Sequence, residues 1–153
     1  MARVVLETVI HAPLETVYAV ARDVEAFPQF MPDVKSVRIL EKSDDGSRTL
    51  TEWVAYASQL KLQVKWTEED LWDDTAHTCR FRQVKGDYDQ MEGLWEFLPH
   101  PEGTLFRSTL DYELRVPLLG ALVQKVIHHL VTQNLQGILD GVKARAEAMA
   151  RGS

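Results

Sequence analysis

The chain lacks nearly everything that would mark a metal centre, a disulfide framework or a membrane span. Cys79 is the single cysteine in 153 residues. It excludes an intrachain disulfide and suits a reducing compartment. No stretch approaches the ~18 consecutive apolar residues of a membrane span. The N-terminal run Val4-Val5-Leu6 is interrupted at Glu7, too short for a secretory leader. These absences set the cytoplasm as the expected location, without integral membrane contact. The five histidines form no ligand set. His128 and His129 are adjacent, so on a helix their side chains diverge by about 100°. Neither has His, Cys, Asp or Glu four residues away, while His11, His77 and His100 fall at strand ends or turns. A nucleophile elbow, a phosphate loop and a dinucleotide fingerprint are all missing. The expectation is a site without metal or cofactor. Positive charge is also scarce: 17 Lys and Arg against 23 Asp and Glu give a net charge of -6. That balance argues against DNA, RNA or an anionic membrane as partner. Nothing in the sequence reads on oligomeric state.

What is present is an ordinary globular composition, 45% hydrophobic and 26% charged. A chain of this length buries roughly 70% of its unfolded surface, which implies one core and a single domain over residues 1–153. The strongest local signal is period-two alternation. Met91, Gly93, Trp95 and Phe97 share one parity, and Phe106, Ser108, Leu110, Tyr112 and Leu114 share another, each interleaved with polar residues. Such patterning marks antiparallel strands with one face buried. With the Met91–Phe97 run counted in the last of them, strands are predicted before Phe106 over 3–11, 34–42, 48–57, 60–72, 78–85 and 88–98, with hairpin turns at Asp45-Gly46, Ser58-Gln59, Gly86-Asp87 and His100–Gly103. Two short helices, 14–22 and 24–30, follow the first strand, the second cut by Pro28 and closed by Pro32. Beyond Pro117, apolar residues recur at helical spacing as far as Met149, with Leu119, Leu122, Val123, Val126, Leu130, Asn134, Ile138, Gly141 and Val142 falling roughly along one stripe. The expected fold is therefore α+β: a curved seven-stranded antiparallel sheet around a helix running from about Leu118 past Lys143.

Three stretches carry a family resemblance: residues 10–18 at the first strand-to-helix corner, Phe27-Pro28-Gln29-Phe30-Met31-Pro32-Asp33-Val34, and Met91-Glu92-Gly93-Leu94-Trp95-Glu96-Phe97. With the order of elements, they resemble the START-like, helix-grip superfamily (SRPBCC), in its polyketide cyclase/dehydrase and coenzyme Q-binding-like branch. The resemblance implies a cavity between sheet and C-terminal helix. It also implies a hydrophobic small molecule as partner: a lipid, a quinone or a polyketide-like ring. The Gly86-Asp87-Tyr88 turn departs from the quinone-binding branch, which tends to carry Gly-Pro-Phe there.

Parity and helical spacing nominate Trp53, Trp66, Trp95, Phe97, Leu110, Tyr112, Val126, Leu130, Asn134 and Ile138 as ligand contacts, and Phe27, Phe30 and Met31 as a gate. Polar groups on these faces are the candidates for chemistry, namely Tyr112, Asn134 and Glu68. Glu68 and Asp70 share the parity of Trp66, but a bulge after Trp66 would turn them outward. With Glu69 beside them they read as a solvated acidic face. No acid–base pair is fixed by the sequence, so the reading is a binding or transport protein. A metal-free cyclase or dehydratase is the alternative, and a ribosome-associated protein, as relatives imply, the second alternative.

Overall fold

The computed structural model describes residues 1–57, 61–114 and 121–152. Seven strands pair antiparallel throughout, in the order β1-β7-β6-β5-β4-β3-β2. They are β1 (Ala2–Ile10), β2 (Val34–Lys42), β3 (Arg48–Ala57), β4 (Leu62–Asp73), β5 (Thr78–Gly86), β6 (Gln90–His100) and β7 (Gly103–Glu113). The expected helix-grip architecture is the one observed. Between β1 and β2 lie α1 (Leu14–Arg22) and a 3-10 helix, Val24–Gln29. This connection carries the chain from one edge of the sheet to the other, so β1 and β2 never pair. Pro13 caps α1 at its entry, where a missing N–H costs nothing. Pro28 lies inside the second segment and keeps it to 3-10 form. The helix α2 (Ala121–Arg151) then runs 31 residues across the inner face.

Parity in the last hairpin is realised as expected: Trp95, Phe97, Phe106, Ser108, Leu110 and Tyr112 are all buried. Gly93 explains one detail of that face. A Cβ there would lie 2.4 Å from Phe81 Cζ and 2.6 Å from the Thr109 carbonyl oxygen, so only glycine lets the Phe81 ring lie over β6.

The buried face of α2 is Ile127, Leu130, Val131, Leu135, Leu139, Val142 and Ala146. This corrects the expected stripe at its N-terminal end: Val126 is 40% and Leu122 76% exposed. A ladder of strict four-residue steps gains about 40° per step at 100° per residue, so it spirals off any straight face. Leu130, Asn134 and Ile138 stay on the inner side, and the two earlier members rotate to solvent. The expected helix start at Leu118, the stripe member Leu119 and the Ser58-Gln59 turn lie outside the described residues.

The two halves of α2 are held differently. Its C-terminal half packs on α1 and β1 with Leu139, Val142 and Ala146 fully buried. There Lys143 Nζ donates to the Val9 carbonyl at 2.6 Å, and Glu147 Oε2 accepts from the His11 backbone N–H at 2.9 Å. The N-terminal half faces the inner side of β3 and β4 across open space.

Candidate functional site

That space is a cavity of two adjoining lobes, of about 60 and 70 Å³. Trp53, Trp66, Tyr88, Val131, Asn134 and Ile138 line both. The outer lobe adds Ile127, Leu130 and Leu114; the inner lobe adds Glu68, Phe81, Met91, Trp95 and Leu110. Cross-strand pairing sets the walls. Trp53 on β3 is opposite Trp66 on β4, and their rings stack with centroids 5.8 Å apart and planes 6° apart. Tyr88 stands nearly perpendicular to Trp66, with centroids 5.6 Å apart. Such offset and edge-on arrays give a rigid aromatic lining.

The next two rungs toward the closed end of the sheet are Thr51 opposite Glu68 and Thr49 opposite Asp70. Both carboxyls point inward and are almost wholly buried, Glu68 5% and Asp70 4% exposed. The expected solvated acidic face is thus wrong for these two and right for Glu69, which Arg48 holds at 2.7 Å and Arg82 at 3.3 Å. The bulge exists, but its extra residue is Val84 on β5. There Lys85 and Gln83 pair with consecutive residues Thr67 and Glu68, so the alternation of β4 is undisturbed.

A continuous chain of donors feeds the pair. Trp53 Nε1 donates to Thr51 Oγ1 at 2.9 Å, and Thr51 Oγ1 donates to Asp70 Oδ2 at 2.7 Å. Thr49 Oγ1 donates to the same oxygen at 3.0 Å, while Trp66 Nε1 donates to Glu68 Oε1 at 2.7 Å. Burial pushes the Glu68 carboxyl well above the usual carboxylate range, and the neighbouring Asp70 pushes it further. Burial raises Asp70 as well, against the lowering effect of its bonds with Glu68, Thr51 and Thr49. The bond between the two acids raises Glu68 and lowers Asp70, which favours the proton on Glu68 and the negative charge on Asp70. Cys79 sits nearby, its thiol raised by burial first and by these two acids second, which leaves it an inert thiol.

The other nominated residues divide. Trp53, Trp66, Trp95, Leu110, Leu130, Asn134 and Ile138 line the cavity. Asn134 Nδ2 donates to the Leu130 carbonyl of its own helix at 3.2 Å, leaving its Oδ1 for the cavity. Trp95 also carries a buried Nε1–H without a partner among the described residues. Phe97 packs on Phe106 and Tyr18, outside both lobes. Tyr112 lies behind Tyr88, and its hydroxyl meets His128 Nδ1 at 2.9 Å, in a groove separate from the lobes. Val126 points away to solvent.

Of the three gate residues, Phe27 and Met31 are core: Phe27 is fully buried beside Trp53 and Trp95, and Met31 fills the notch at Gly141. Phe30 is half-buried under the Arg145 guanidinium, 5.3 Å from the ring centre. The segment therefore sits against the C-terminal half of α2, away from the half that borders the cavity. Sequence reasoning missed Asp70, Thr49, Thr51, Tyr88 and Val131. The signal that identifies the first three is the β3–β4 register.

Comparison with known proteins agrees with this geometry. The family described as polyketide cyclase / dehydrase and lipid transport matches residues 10–138. A Streptomyces halstedii protein assigned as a polyketide cyclase is 30% identical over 102 residues, covering 66% of this chain and 92% of its own length. The ribosome association toxin RatA of Rickettsia prowazekii (strain Madrid E) is 24% identical over 105 residues, covering 66% of this chain and 68% of its own. Among solved structures, one from Thermus thermophilus superposes with a TM-score of 0.90 at 38% identity, over 97% of this chain and 99% of that one. The Zhui aromatase/cyclase from Streptomyces sp. R1128 shares the fold at a TM-score of 0.85 and 20% identity, over 95% and 93% of the two chains.

Proposed function

Because the chain belongs to the polyketide cyclase/dehydrase and lipid transport family, we propose that it binds and carries a hydrophobic small molecule between the sheet and the N-terminal half of α2. The observation that carries this reading is the aromatic-lined cavity itself. Trp53, Trp66, Tyr88 and Trp95 meet there around a space with few polar groups. Apolar burial would supply affinity at about 25 cal/mol per Å² before the costs of association. Lobes of about 60 and 70 Å³ are each the size of two or so water molecules. A ring-sized guest therefore requires α2 to swing outward at its N-terminal end while Lys143 and Glu147 hold the other end as a pivot. Native mass spectrometry of protein purified from its own host tests the reading. A mass adduct released by mild activation is the expected result; bare protein that also takes up no naphthalene or quinone on addition would contradict it.

One observation favours a second reading, a cyclase or dehydratase. Burial and the neighbouring Asp70 hold the Glu68 carboxyl well above the usual carboxylate range on the cavity wall, the direction a general acid needs. In a dehydration it would give its proton to a leaving hydroxyl, which departs as water. The carboxylate would then take the proton from the adjacent carbon, returning the pair to its starting state. Product analysis with a β-hydroxy ketone decides: turnover lost in Glu68→Gln with binding retained supports the enzyme, and binding without turnover supports the carrier.

A further inference from the structure

The acid pair at the cavity floor has no counter-charge among the described residues. Glu68 and Asp70 place two carboxyls together in an almost completely buried site, and the bond between them favours the negative charge on Asp70. Their partners are neutral: two threonine hydroxyls, the Trp66 indole and each other. Among the described residues, no Lys, Arg or His forms an ion pair or hydrogen bond with either acid. A buried charge without a counter-charge is costly, and proteins normally pair it. Glu68 is the acid of the pair that opens onto the inner lobe, and aromatic faces flank it. Trp53 and Trp66 present stacked rings, Tyr88 stands across Trp66, and Phe81 meets Trp95 at 67° with centroids 5.8 Å apart. Ring faces at steep angles around an acid form a cage that attracts a desolvated cation from several sides. A second, independent feature lies on the same lobe. Trp95 is 5% exposed, and its Nε1–H has no acceptor among the described residues, so a guest with an oxygen is accommodated as well.

We propose that the natural guest carries a cationic nitrogen, a tertiary or quaternary ammonium on an aromatic or polycyclic body, seated in the aromatic cage against Glu68 with an acceptor oxygen toward Trp95. This rests on the cavity-binding reading above and narrows its ligand class. Fatty acids and other carboxylates are excluded by the same charge.

A pair of probes of equal shape isolates the charge: choline phenyl ether and its carbon isostere, 3,3-dimethylbutyl phenyl ether. Both keep the ether oxygen, and affinities are read by calorimetry or by tryptophan fluorescence. The full chain should bind the ammonium probe at least about tenfold more tightly than the isostere. In Glu68→Gln, whose amide keeps the acceptor for Trp66 and leaves the Asp70 carboxyl in place, the preference should persist. Asp70→Asn, which leaves a neutral pair, should bring the ratio to near one. Equal or tighter binding of the isostere by the unaltered protein overturns the cation assignment while leaving the cavity reading in place. A preference that persists in Asp70→Asn overturns the role of the acid pair. Failure of both probes to bind up to their solubility overturns the cavity reading and the proposal with it.

Discussion

At the scale of single residues, the acid pair governs both stability and chemistry. Glu68 has a folded-state pKa raised above its unfolded value of about 4.3. Between those two values the folded protein holds a proton that the unfolded chain has released. Stability therefore falls as pH rises from about 4.3 toward the folded value. Glu68→Gln removes the titration while keeping an acceptor for Trp66 Nε1 and a donor for Asp70. Its melting temperature relative to the unaltered protein should rise between pH 4.5 and pH 8 by at least about 2 °C, since 1 kcal/mol shifts a domain of this size by ~2–4 °C. Differential scanning calorimetry at several pH values checks this; a constant difference across the range would mean that the pair does not share a proton. The inward direction of Glu68 was legible from its parity with Trp66. Its partners were not, because they depend on how many residues lie in the β3–β4 turn. A two-residue turn would set Thr51 against Trp66, whereas the observed register sets Trp53 there and leaves both threonines for the acids. Cross-strand register is fixed by turn length and side-chain packing together, and alternation alone carries no information on it.

At the scale of elements, α2 shows which sequence signals carry position and which carry only type. Its helical character follows from apolar spacing and the absence of proline, but the face it buries is set by what it meets. The four-residue ladder from Leu122 to Ile138 spirals, so its first members left the core and Ile127, Val131 and Leu135 took their places. The two glycines of the helix likewise look equivalent in sequence and differ in place. A Cβ on Gly137 would approach only Asp33 Oδ2, at 3.8 Å, whereas one on Gly141 would lie 2.7 Å from Met31 Cγ and 2.9 Å from Met31 Cε. Gly137→Ala should therefore gain about 0.5–1 kcal/mol of helix propensity and raise the melting temperature. Gly141→Ala gains the same propensity but overpacks a fully enclosed methionine, at a cost of roughly 1–3 kcal/mol, and should lower it. Thermal melts of the two variants side by side test this; a lowered midpoint for Gly137→Ala, or a raised one for Gly141→Ala, would contradict the packing described. The 3-10 segment teaches the same lesson. Pro28 made its irregular form legible, but a short apolar element broken by prolines serves equally well as a gate or as a plug, and here Phe27 and Met31 are a plug.

At the scale of the whole molecule, the seven strands and the long helix were legible because the alternation and the helical spacing are each sustained over many residues. The cavity was legible only as a consequence of the fold, since the side chains that line it are the kinds that fill any core. What separates lining from core is the asymmetry of α2, tied down by Leu139, Val142, Lys143 and Glu147 at one end and standing off the sheet at the other. No helix among the described residues is long and apolar enough to cross a membrane. The central claim, that a guest binds between β3, β4 and the N-terminal half of α2, is tested most directly by the indole N–H resonances of the four tryptophans. Trp53, Trp66 and Trp95 line the lobes, while Trp72 is buried against Tyr18 and beneath Arg22, outside them. Titration with choline phenyl ether, or with naphthalene as a neutral guest, should shift the first three resonances saturably and with one dissociation constant, and Trp72 least. Shifts confined to Trp72, or no saturable shift in Trp53, Trp66 and Trp95 with any guest, would contradict the account.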